Sequence, residues 1–131
     1  KMINRKAKGS NAERELIKLL HENNWSAVWI AGSGSSKYPS PDVLAGNGYR
    51  RIAIECKTTK DKKKYLSRDE ISQLKIFANN FGAEAWIALK FPGKEWIFFM
   101  IEDLEEKENS YLASLELANI KGLNLQEILK N

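Results

Sequence analysis

The chain has one cysteine, one histidine and three prolines in 131 residues. It also has no apolar run approaching the roughly 18 residues that a membrane-spanning helix needs. Each shortage excludes something. A lone Cys56 forms no internal disulfide and no cysteine-only zinc site, and it suits a reducing, intracellular setting. A lone His21 leaves a zinc hydrolase without a second imidazole, and its place at a helix end favours the helix dipole instead. The opening KMINRKAKGSNAERE lacks the apolar centre of a secretory signal, so a cytoplasmic protein is expected. The glycine-rich GSGSS lacks the Lys-Ser/Thr ending of a nucleotide-binding loop and reads better as a segment that closes on a ligand.

The composition that remains, 43% hydrophobic and 29% charged, is that of an ordinary folded domain. A chain of this length fits one domain, residues 1–131, and can bury a core without staples. The net charge of +4 is modest, so its distribution matters more. Lys1, Arg5, Lys6 and Lys8 form a basic N-terminal arm over residues 1–10. Lys57, Lys60, Lys62, Lys63, Lys64 and Arg68 crowd a strand end and the loop after it. Two such clusters suit a polyanionic partner, nucleic acid first of all.

Periodicity predicts a helix over 11–23, with Leu16, Ile17 and Leu20 as its apolar stripe and Ser10 with Glu13 as a capping box. WSAVWI (25–30) and DVLA (42–45) read as strands. A GNG turn then leads to a strand over 49–57, making a hairpin. A lysine-rich loop follows, then a helix from 68 to 80 stopped by Gly82. EAWIALKF and EWIFFMI are apolar almost throughout, as strands buried on both faces are. Trp25, Trp29, Trp86 and Trp96 are expected in the core, with base stacking open to any that is exposed. The order of helix, three strands, helix and two strands predicts an α/β fold, a five-stranded sheet flanked by helices. In the tail, 110–131, LNLQEIL reads as a short helix capped by Asn124 and Glu127. Its apolar side either covers the sheet or meets a second subunit.

The chemistry centres on Arg51–Lys57. Side chains alternate along a strand, so Ile52, Ile54 and Cys56 face one way and Ala53, Glu55 and Lys57 the other. Asp42 lies at the start of the partner strand, giving Asp-x12-Glu-x-Lys. Two carboxylates brought together at a hairpin end repel unless a cation lies between them. Magnesium takes one or two carboxylates plus waters, with the Cys56 main-chain carbonyl as a further ligand. Lys57 can orient or help deprotonate an attacking water and stabilise a pentacovalent phosphate. Glu13 precedes Leu16, Ile17 and Leu20 by three, four and seven residues, which aims it inward, toward the metal directly or through water. The pattern is loose, and a solvated strand face with a plain capping glutamate would account for each residue separately.

Together, KGSNAERELIKLL (8–20), AGSGSSKYPSPDVLAGNG (31–48), IAIECKTTK (52–60) and ALKFPGKEWIFF (88–99) resemble the archaeal Holliday junction resolvases, over nearly the whole chain. The resemblance implies a mixed sheet with a restriction-endonuclease-like core and a homodimer. It also implies dependence on magnesium, with manganese as a substitute, and paired nicks in four-way DNA junctions. Carried over, the functional residues are Glu13, Ser33, Asp42, Glu55 and Lys57, with Ser35 an alternative for the loop serine. Arg14 would contact phosphate beside Lys6, Lys8, Lys60, Lys62, Lys63, Lys64 and Arg68. Gln73 matches a helix glutamine that is functional in the wider nuclease group, although a surface role suits it better. The implied setting is cytoplasmic and nucleoid-associated, with no membrane. The rival readings are a same-fold nuclease for other branched or duplex DNA, a DNA-binding module without catalysis, and a structural adaptor.

Overall fold

The computed structural model describes residues 5–32 and 37–130. The first helix, α1, runs Arg5–Glu22. It therefore begins upstream of the expected start and places Ser10 inside the helix, not at the N-cap position that a capping box with Glu13 requires. Nothing in RKAKGSNAERE stops a helix: it has no proline, and its lysines, arginines, alanines and glutamates are good helix formers that outweigh one glycine. Residues 5–10 of the supposed N-terminal arm are thus helical.

Strands β1 (Ser26–Trp29), β2 (Val43–Gly46), β3 (Arg51–Thr58), β5 (Glu84–Lys90) and β6 (Ile97–Met100) form one mixed sheet in that order. Only β3 and β5 are parallel. A parallel pair needs a crossover, and helix α2 (Arg68–Phe81) provides it. The β2–β3 turn is held by Asn47, whose Oδ1 accepts the N–H of Tyr49 and of Arg50 at 2.9 and 2.7 Å. Gly48 adopts φ +94° there, which an L side chain rarely tolerates.

The sheet is buried on both faces. Leu16 and Leu20 of α1 pack with Trp25, Val43, Ile52, Ile54, Cys56, Trp86 and Phe98 on one side. Ile71, Leu74 and Ala78 of α2 pack with Ala53, Ile87, Leu89 and Phe99 on the other. The alternation along β3 holds as read, but Ala53 is fully buried, so this is no solvated face.

A second sheet escapes sequence reading. β4 (Lys63–Ser67) lies in the stretch read as a loop and pairs with β8 (Ser110–Ser114), which also pairs with β7 (Glu105–Glu106). A lysine-rich strand with Leu66 as its one buried residue gives no apolar alternation to read. The tail forms α3 (Leu115–Lys121) and α4 (Leu125–Leu129), the latter with the expected Asn124–Glu127 capping box. Its apolar side is used within the chain: Ile128 is 3% exposed, and Leu125 and Leu129 pack on the α1 face of the core.

Gly122 joins these two helices where space is tight. A Cβ there would lie 2.6 Å from both the Ala118 carbonyl oxygen and Ile97 Cγ2. Gly122→Ala should therefore cost on the order of 1–3 kcal/mol, read as a lower urea midpoint with unchanged slope.

Candidate active site

Three elements converge at the C-terminal end of β3. Continuing the β2–β3 register by one residue places Asp42 opposite Glu55, and the Asp42 N–H donates to the Ile54 carbonyl at 3.0 Å. The Asp42 side chain is fixed as well, because its Oδ2 accepts the Cys56 N–H at 2.8 Å. Asp42 and Glu55 are close enough to share a side-chain hydrogen bond. Lys57 Nζ stands 3.7 Å from Glu55 Oε2. Glu13 reaches the same field from α1, freed from capping by the helix's earlier start.

The electrostatics of this cluster are those of a crowded acidic pocket. Burial, then the Asp42 charge, pushes the Glu55 carboxyl up to about 8, against the opposing pull of Lys57. In the absence of a cation, Glu55 holds a proton across the neutral range. Burial, then Asp42, also raises Glu13, while a hydrogen bond from the Trp29 side chain and the Lys57 charge oppose the rise. Burial works against the Lys57 ammonium too, but Glu70, Glu55 and Asp42 outweigh it and keep Lys57 protonated beyond its ordinary range. Cys56 is buried and its thiol is pushed well above the usual range, chiefly by burial, so it is no nucleophile.

Among the described residues, no three His, Cys, Asp or Glu side chains converge as a ready metal cage. The acidic centre is the pair Asp42 and Glu55, with Glu13 behind it. Such a pair matches the way magnesium is held, by one or two carboxylates with water completing the shell. A crowded, half-buried pair of carboxylates is also what a divalent cation would relieve.

The other expected site residues fall in different places. Ser33 and Ser35 lie outside the described residues, as do the side chains of Lys6 and Lys8. Arg14 is exposed and bonds Asn11. Lys60, Lys62 and Lys63 are exposed and Lys64 is half-buried, but Lys63 and Lys64 belong to β4 and point to opposite faces. Arg68 is exposed and already engaged. Its guanidinium bonds the Glu106 carboxylate and the carbonyls of Glu108 and Lys107, and it lies over the Tyr111 ring. It fastens the start of α2 to β7 and β8. Gln73 is exposed and donates to Asp69, as a surface residue does. Trp29 is a correction: it is 42% exposed, while the other three tryptophans are buried.

Sequence reading missed Glu70. This residue closes the capping box of α2 and receives the Lys57 ammonium. The signal was Ser67-x-x-Glu70 ahead of the periodic helix, a pattern that marks a helix start on its own.

Comparison with known proteins agrees with this architecture. A family described as archaeal Holliday junction resolvase (hjc) matches residues 4–131. The crossover junction endodeoxyribonuclease Hjc of Archaeoglobus fulgidus is 44% identical over 129 residues, covering 93% of this chain and 95% of that one. The crossover junction endodeoxyribonuclease Hje of Sulfolobus acidocaldarius is 36% identical over 114 residues, covering 85% and 82%. The solved structure of the Archaeoglobus fulgidus Hjc, a Holliday junction resolvase, superposes with a TM-score of 0.86 at 41% identity. That superposition covers 92% of this chain and 98% of the other. With the acidic pair, the adjoining lysine and the mixed sheet in place, the chain belongs to the archaeal Holliday junction resolvase family.

Proposed function

We propose that this protein is an endodeoxyribonuclease that resolves four-way DNA junctions by hydrolysing one phosphodiester in each of two symmetry-related strands. The observation that carries the reading is the pairing of Asp42 and Glu55 beside the Lys57 ammonium on one sheet face. Asp42, Glu55 and the Cys56 main-chain carbonyl would hold a magnesium or manganese ion, with Glu13 acting through water. Such an ion, when bound, supplies a Lewis acid for the phosphate and a lowered pKa for the attacking water. The chain's own contribution is positional and electrostatic. The Cys56 N–H fixes the Asp42 carboxylate before substrate arrives. Lys57, kept protonated by its acidic neighbours, meets the negative charge that builds on the phosphate as water attacks. An ammonium so held is better suited to stabilising charge than to taking a proton.

The surface around the site suits a phosphate backbone. A cavity beside the end of β3 is lined by Ala12, Thr58, Thr59, Lys60, Lys90 and Phe91. Hydroxyls and ammonium groups of this kind position nucleic acid and carry no sequence information, consistent with selection by structure. The junction's near two-fold symmetry suits two identical subunits cutting one strand each. An apolar surface fits that homodimer: Val28, Leu44 and Phe81 line one groove, Val28 and Phe81 are exposed, and the Phe77 and Phe81 rings stack at 5.2 Å.

The test is cleavage of a labelled immobile junction beside a linear duplex of the same sequence, with magnesium or with EDTA. Paired, symmetric nicks confined to the junction and dependent on the ion are expected. Equal cutting of both DNAs would remove the junction selectivity, and tight binding without cutting under any ion would leave a binding module.

A further inference from the structure

We infer that Glu70, at the start of α2, is a positioning residue for Lys57, and that it fixes the ammonium through a carboxylate shared with the helix cap. The inference rests on the proposed nuclease reading for its catalytic meaning. Its structural content stands on contacts alone. Glu70 Oε2 accepts from Lys57 Nζ. Its other oxygen, Oε1, accepts the Ser67 N–H at 3.0 Å, and the Glu70 N–H donates to Ser67 Oγ at 3.0 Å. The carboxylate is therefore anchored independently of the lysine, through Oε1. Ser67 is itself the last residue of β4 and is paired with Ser110 of β8. The adjacent Arg68 fastens the same corner to Glu106 and to the carbonyls of Lys107 and Glu108.

A lysine is a point charge on a flexible four-carbon stem, with rotamer freedom to lose when it is fixed. Glu55 at 3.7 Å gives Lys57 one loose partner. Glu70 gives it a second, anchored in a different element. Of three N–H groups, one then bonds Glu70, Glu55 stands at ion-pair distance, and the remaining capacity faces water or phosphate. On this view the small sheet serves the reaction: it sets the start of α2, which sets Glu70, which sets Lys57.

Glu70→Gln isolates the effect, because glutamine also closes a capping box but lacks the charge that holds the ammonium. Single-turnover junction cleavage should fall about tenfold, with junction affinity and melting temperature close to those of the native chain. In a Lys57→Met background the same substitution should add no further loss, as a coupled pair requires. A native rate in Glu70→Gln, a faster one, or an undiminished loss in the Lys57→Met background would each overturn the inference. A readout independent of cutting is the 15N signal of the Lys57 ammonium. It should be visible through slowed proton exchange in the native protein and lost in Glu70→Gln. Equal exchange in both proteins would sink the idea even if cleavage changed. A native chain that does not cut the junction would count against the proposed function alone, and the ammonium signal would still decide this one.

Discussion

Glu55→Gln should bind a four-way junction as tightly as the native protein and fail to cut it. The expected loss in single-turnover rate is on the order of a thousandfold, roughly 4 kcal/mol of transition-state stabilisation. The substitution keeps the shape of the side chain and its place on β3 between Ile54 and Cys56, so the buried strand has no reason to move. It removes one of the two carboxylates that face each other at the hairpin end. A neutral amide beside Asp42 leaves a single charge where a divalent ion is proposed to sit, and also removes the acidic partner 3.7 Å from Lys57. Binding is spared because the backbone contacts attributed to Lys60 and its neighbours lie outside the pair. The check is a junction-binding titration at fixed salt alongside a quenched time course. Undiminished cutting by Glu55→Gln would remove the proposed centre from the reaction.

The same residue makes the metal-free protein sensitive to pH. The Glu55 carboxyl is raised from its ordinary value of 4.5 to about 8 in the folded chain, by burial first and by Asp42 second. Between those values the folded state keeps a proton that the unfolded chain has already released. Stability is therefore full below the lower value and declines as pH rises through the upper one. The loss between pH 5 and pH 9 should be a few kcal/mol, up to about 4. Melting curves in EDTA across pH 5–9 should show the native midpoint falling. Glu55→Gln should stay flat and become the more stable protein at the alkaline end. Magnesium that binds only the folded chain should restore the native midpoint at high pH. A native midpoint that tracks Glu55→Gln across the whole range would mean that the pair carries no such strain. A falling midpoint would make the stability lost at Glu55 the counterpart of its proposed use, since a site that holds a cation is destabilised without one.

Local pattern carried a good part of the site. Glu55 and Lys57 differ by two along a strand, so a shared face follows from the alternation of side chains, whatever the fold. Asp42 follows from the hairpin, because GNG supplies a turn and antiparallel pairing then brings the two strand ends together. Helix α2 was similarly legible, from an apolar period ended by Gly82 at φ +80°. The error at α1 came from giving a local capping pattern priority over a stretch of good helix formers.

The features that sequence reading did not show are those that depend on distant partners. β4 exists because β8 pairs with it, and neither strand announces the other. Arg68 reads as one more cation after a lysine run until β7 and β8 deliver Glu106 and two carbonyls to it. Trp29 reads as core until the edge of the sheet leaves it partly exposed beside Glu13. The sequence by itself determined the helix and strand identities that follow from period, the face that Glu55 shares with Lys57, and the excess of positive charge near them. Only the tertiary structure decided that a capping glutamate on α2 holds Lys57 and that burial beside Asp42 raises the Glu55 carboxyl. The physical reason is range: periodicity and turns act over a few residues, whereas burial and charge pairing depend on what the rest of the chain brings alongside.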